Sequence, residues 1–209
     1  MNRLPGPLAV LCLLSGMSGS AQVIEFDSNG LKYQTLSKSG ITVMFAHLPT
    51  RLHEYATIQV AVSNGSKGPY TIKPEDFTYE LPGGATIRAV PAKTIVQMLE
   101  QKGSGADVVK LITTYEAGLY GNPHFRSTNG YESRRQAALA WNSTKLKAAA
   151  AASALALAQT KLAPSESTDG AVFFPTEGKP LVGGRLVVRT NTDTFEFNPE
   201  TVLPHSGNL

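Results

Sequence analysis

The order of two hydrophobic periodicities constrains this chain most. Leu31 to Val90 alternate apolar with polar or small side chains, Pro91 to about Leu162 carry helical spacing, and Ala171 to Phe197 return to short strand-like runs. A period of two puts one set of side chains on a single sheet face, and helical spacing builds a stripe. The last strands need partners, and the first ones have open edges. The economical fold is therefore one mainly β structure, a β-sandwich, whose chain leaves to form about three helices and then returns.

Within the first part, Gly40–Ala46 and Tyr55–Val62 read as strands, and Asn64-Gly65 ends the second with a turn. Phe77–Leu81 and Thr86–Val90 read as a hairpin around Pro82-Gly83-Gly84. Pro91 opens the first helix, where its missing N–H is not needed, and Gly103 closes it after Ile95, Met98 and Leu99. A second helix is expected from Ala106 to Leu119, and a third from Tyr131 to Lys161. The third contains the unbroken run Ala148–Ala152, built of the best helix former. Its small side chains let another backbone approach closely, and Leu146, Leu155 and Leu157 mark a buried face. In the tail, Ala171–Phe174, Gly184–Thr190 and Thr194–Phe197 are short strands between Gly, Pro and Asn.

The amino terminus reads differently. Met1-Asn2-Arg3 precede a mostly apolar run from Leu4 to Leu14, and small residues follow up to Ala21. This is the pattern of a secretory signal peptide, with cleavage expected after Ala21. The apolar run is shorter than the roughly 20 residues that span a bilayer. Cys12 sits among apolar residues and reads as filler of that run, not as a lipid attachment point. Cleavage leaves 188 residues without a cysteine, which removes disulfides, thiolate catalysis and cysteine-bound metals. The remaining 18 basic and 16 acidic residues are dispersed, with no basic stripe for nucleic acid. The expected division is 1–21 signal peptide, 22–90 first part of the sandwich, 91–159 helical insert and 160–209 last strands and tail.

Two short motifs carry a resemblance. The stretch Tyr55–Leu81 holds Val60, Val62, Asn64, the Ile72-Lys73-Pro74 step and Asp76-Phe77, followed by Gly83 and Gly84. The stretch Lys161–Pro175 holds Leu162-Ala163-Pro164-Ser165-Glu166, then Gly170 and an apolar strand. Together they resemble exported bacterial immunoglobulin-like domains of unknown function, over about half of the mature chain. The resemblance implies an immunoglobulin-like β-sandwich and no activity, since fold does not fix function. It departs from the family at Pro91–Gln159, where a short connection is expected.

Catalytic signatures are sparse. Gly103-Ser104-Gly105 lacks the third glycine and the preceding strand of a dinucleotide fold, and reads as a joint between helices. His53-Glu54 begins like a zinc-protease motif, but Thr57 stands where the second His belongs. His47 and His53 flank Pro49 and read as solvated loop residues, not as a metal pair. Glu75-Asp76 and Glu25/Asp27 read as turn formers and surface charges. No catalytic, metal or cofactor site is assigned.

The densest cluster of recognition-type side chains is the Gly/Asn/Pro-rich loop from Tyr120 to Tyr131, with Tyr120, His124, Phe125, Arg126 and Tyr131. Aromatic and Arg side chains dominate binding hot spots. The alternative is that these aromatics fold back as a satellite core. The expected function is a non-catalytic exported interaction or accessory module, periplasmic, cell-surface or secreted. It would have a protein or envelope partner, no nucleic acid and no integral membrane span. The competing expectation is an envelope hydrolase with its site between sandwich and helical insert.

Overall fold

The computed structural model describes residues 22–49, 51–121 and 129–199. The expected signal peptide, 1–21, lies outside them. Among the described residues there are eleven strands and four α-helices, and about 37% of the chain is strand in antiparallel sheets. The chain is thus mixed α/β, with more helix than the expected mainly β fold.

The longest strand is β4 (Tyr55–Asn64). It pairs with β3 (Ile41–His47) on one side and with β9 (Ser167–Pro175) on the other. The five-stranded sheet runs β1-β2-β3-β4-β9, where β1 is Ile24–Ser28 and β2 is Leu31–Lys38. In a second sheet, β6 (Phe77–Glu80) pairs with β7 (Thr86–Arg88) and with β10 (Arg185–Arg189), which in turn pairs with β11 (Thr194–Glu196). Strands from after the helices therefore pair with strands from before them in both sheets.

The two sheets share one core. Val43, Phe45, Ile58, Val60, Val172 and Phe174 from the first meet Phe77, Tyr79, Leu186, Val188 and Phe195 from the second. The helices cover the opposite face of the first sheet. Tyr55, Ala171 and Phe173, the alternate residues of β4 and β9, pack with Ile95, Leu99, Leu111, Tyr115, Tyr131 and Leu155. This explains a departure from the expected alternation. Residues 55–60 are all buried, because a strand covered on both faces has no solvent side.

The first helix, α1 (Ala92–Lys102), starts after Pro91 and stops at Gly103 as expected. α2 (Gly105–Gly121) crosses the sheet, and at Gly118 a Cβ would collide with the Gln59 side chain. The expected third helix is two helices, α3 (Tyr131–Leu139) and α4 (Thr144–Leu155). Ser143 is the break: its hydroxyl caps α4 by accepting the Leu146 N–H. The alanine run is buried, with Ala148, Ala151 and Ala152 at most 1% exposed. Leu146 is exposed instead, and Leu157 lies outside the helix, in the core between the sheets.

α4 also ends earlier than expected. The chain leaves it beside β9, where Leu157 N donates to Ala171 O at 2.8 Å. Gly170 is required here, since a Cβ would strike the Leu157 backbone. Thr160 and Lys161, the end of the expected third helix, belong instead to β8 (Thr160–Leu162), which pairs with β5 (Tyr70–Ile72). Backbone pairing here overrides local helix propensity.

Candidate functional site

A cleft of about 680 Å³ opens where α3 and the end of α4 face β8 and the start of β9. Its wall includes Asn129, Arg134, Ser153, Thr160, Glu166 and Asp169. Most of the residues that line it are polar, and several of them are held by bonds to backbone. Arg134 donates from Nε and Nη2 to Ala154 O at 3.2 and 3.0 Å, tying the start of α3 to the end of α4. Its Nη2 also reaches Asn129 Oδ1 at 3.2 Å. Asn129 Nδ2 donates to Asp169 O at 2.8 Å, and Asn129 Oδ1 accepts the Tyr131 N–H at 3.0 Å.

Behind this wall, Asp169 is 2% exposed and accepts the Tyr115 hydroxyl proton. Burial pushes the Tyr115 phenol well above its ordinary range, and the Asp169 charge adds to that. Tyr131 stacks obliquely on Tyr115 with ring centroids 5.0 Å apart, and its hydroxyl donates to Glu116 at 3.2 Å. Burial, then the Glu116 charge, raises the Tyr131 phenol as well. Arg135 pairs with the same Glu116. A chain of polar groups thus runs from the cleft into the helical layer.

The residues singled out from sequence separate here. Tyr131 is 2% exposed and anchors α3 in the helical core. Tyr120 is 59% exposed at the end of α2, and its hydroxyl donates to Glu132 at 3.0 Å. His124, Phe125 and Arg126 lie outside the described residues.

The histidines flanking Pro49 occupy unlike environments. His47 meets Phe45 and Tyr79 edge-on, with centroids 5.5 and 5.7 Å away, and burial lowers its pKa to about 4. His53 Nε2 lies 3.2 Å from Asp107 Oδ2. Asp107 also accepts from Ser104 N at 2.9 Å and Ser104 Oγ at 2.7 Å, while Ser104 Oγ accepts the Asp107 N–H at 3.3 Å. This is a capping box at the start of α2. Burial opposes ionisation of Asp107, but the Ser104 bonds and His53 outweigh it and lower its pKa. Ser, His and Asp meet here with the carboxylate between the other two, so the His53 ring bonds the carboxylate and not the Ser104 hydroxyl, unlike a hydroxyl activated by an adjacent imidazole. Sequence reading passed over this box, although Ser104-x-x-Asp107 ahead of an apolar run was its signal.

The two motifs behind the family resemblance meet beside the cleft. Asn64, fully buried, donates from Nδ2 to Gly68 O at 2.8 Å and to Leu162 O at 3.1 Å. Its backbone N–H donates to Glu166 O at 2.8 Å, and its carbonyl accepts Ser165 N at 2.6 Å. Glu166 closes its own turn by accepting Ala163 N at 2.7 Å. Similarly, Asp76 accepts Lys73 N at 3.0 Å and organises the 3-10 turn Pro74–Asp76 before the buried Phe77. No helix among the described residues is long and apolar enough to cross a membrane. Comparison with protein-family models, curated proteins and solved structures found no match.

Proposed function

We propose that this chain is an exported, non-catalytic interaction module of the envelope or secreted fraction, built on an immunoglobulin-like β-sandwich, and that its partner binds in the cleft. The observation that carries this reading is the cleft itself. It is about 680 Å³, large enough for a ligand or peptide side chains, and Arg134 and Asn129 are held in place along its wall. Groups pinned to backbone lose little entropy on binding. The immunoglobulin-like assignment draws support from the contact between the Asn64 turn and the Leu162–Glu166 turn, the two motifs of the resemblance. Of the two described side chains singled out in the loop expected to recognise the partner, Tyr120 is exposed beside α3 and Tyr131 is buried.

Site-specific photo-crosslinking tests the reading. A crosslinker at exposed Ser153 should give a discrete adduct in the native envelope or culture fraction, and one at exposed Thr192 should not. Equal labelling from both positions contradicts a cleft-centred partner. The buried Asp169 carboxylate in the wall favours the hydrolase as second reading. Turnover of an envelope polymer that Asp169→Asn abolishes, with the fold intact, would establish it in place of the binding module. Export itself is tested by mass spectrometry of the secreted product, which should begin at Gln22. Retention of Met1 or a lipid on Cys12 contradicts it.

A further inference from the structure

The end of the helical layer remote from the cleft has a different surface. There the α1–α2 turn packs against the start of α4. A Cβ on Gly103 would lie 3.0 Å from Ala148 Cβ, and one on Gly105 would lie 4.0 Å from Thr144 Cγ2. Three large apolar side chains at this end face solvent: Trp141 at 51%, Leu146 at 40% and Val109 at 63% exposed. Trp141 and Leu146 flank the Ser143 cap, and Val109 sits in the first turns of α2. A tryptophan normally contributes a large buried area to a core, and this one does not.

Lysines occupy the helix ends at the same end of the layer. Lys145 and Lys147 lie at the start of α4, whose first turn carries no carboxylate, and Lys102 lies in the last turn of α1. Helix N-termini carry a partial positive charge and favour acidic side chains, so Lys145 and Lys147 gain nothing from the helix they occupy. None of the three lysines is in an ion pair among the described residues. The carboxylates of these segments offset them little. Asp107 is buried and engaged by Ser104 and His53, which leaves the exposed Glu100 on α1.

We propose that this end is a docking surface for an anionic lipid bilayer. Trp141 sits at headgroup depth, Leu146 and Val109 enter the acyl boundary, and Lys102, Lys145 and Lys147 meet lipid phosphates. Tryptophan prefers the membrane–water interface, and lysines near an anionic leaflet are attracted to it. A protein partner fits less well, because lysine is depleted at protein–protein interfaces. Leu146 and Ala156 are ten residues apart, about 15 Å along the helix axis. The docked protein therefore keeps its cleft turned away from the bilayer, and docking does not depend on what the cleft binds.

Trp141 is the sole tryptophan, so its fluorescence reports this surface alone. The full mature chain is titrated with phosphatidylcholine vesicles, with and without phosphatidylglycerol, at low and high salt. Anionic vesicles should shift Trp141 emission to the blue and sediment the protein, and salt should weaken both effects. Lys145→Glu/Lys147→Glu should reduce partitioning by at least roughly 30-fold. Trp141→Ala should reduce sedimentation at unchanged melting temperature. An absent shift, equal binding to neutral vesicles, or an equal shift with inorganic phosphate alone overturns the proposal. A blue shift that grows with protein concentration without lipid also overturns it, and identifies a self-association surface instead.

Discussion

Asn64 and Leu162, 98 residues apart, are joined by a 3.1 Å hydrogen bond from the Asn64 Nδ2 to the Leu162 carbonyl. The second Nδ2 proton goes to Gly68 O, while Oδ1 accepts both the N–H and the hydroxyl of Ser66. Four bonds converge on one fully buried amide and fix the turn after β4 to the turn after β8. Replacement by Ala leaves two carbonyls and two donors, the N–H and hydroxyl of Ser66, to be satisfied elsewhere. Asn64→Ala should cost about 2–4 kcal/mol in urea unfolding, and Asn64→Asp at least as much at neutral pH, since it faces carbonyls with an acceptor. A loss below about 0.5 kcal/mol for both would show that the amide does not hold these turns.

The Tyr115–Asp169 contact joins α2 to β9 in the same manner. Tyr115→Phe removes the donor and leaves a buried carboxylate without it, a loss of about 2–3 kcal/mol. If the hydroxyl and the carboxylate act as a pair, Tyr115→Phe/Asp169→Asn is less destabilised than the sum of the single changes. A coupling of about 1 kcal/mol or more is expected from the double-mutant cycle. Additive effects would mean that the bond contributes nothing specific.

His47 gives the fold a pH dependence with a definite sign. Burial holds its pKa at about 4 in the folded chain, against roughly 6.5 in the unfolded one. The unfolded state therefore takes up a proton that the folded state refuses. Stability from this group is full above pH 6.5, falls as pH drops from there to about 4, and is then flat. The loss is about 3 kcal/mol at most. Unfolding curves for wild type and His47→Gln, recorded across this range, should converge as pH falls. Parallel curves would assign the pH dependence to other groups.

Much of the fold was legible because it follows from local periodicity and punctuation. β3 and β4 lie where period two placed them, β6 and β9 to β11 lie where the Gly, Pro and Asn punctuation placed short strands, and α1 has its Pro91 start and Gly103 stop. Long-range effects were not legible. Residues 160–162 carry no strong strand pattern, and become a strand because Tyr70–Ile72 offers an edge. The break at Asn142-Ser143 was hidden by the helix propensity on either side, although serine three residues ahead of Leu146 is a capping signal. Tyr120 and Tyr131 look alike in sequence. One ends a helix in solvent and the other fills the space beside Tyr115, a difference set by which face of α3 meets α2. The cleft has no sequence signature, since Asn129, Arg134, Ser153 and Asp169 come together only through the packing of α3 and α4 against β9.

The claim that the cleft binds the partner is tested most directly by filling it. Ser153 is exposed on α4 in the cleft wall and outside the core, so Ser153→Trp adds bulk there without disturbing packing. With the partner isolated through the Ser153 crosslink, its affinity is measured by calorimetry for wild type and Ser153→Trp, alongside both melting temperatures. The binding-module account predicts affinity weakened at least about tenfold, or roughly 1.4 kcal/mol, with the melting temperature unchanged. Equal affinity for the two proteins would contradict it.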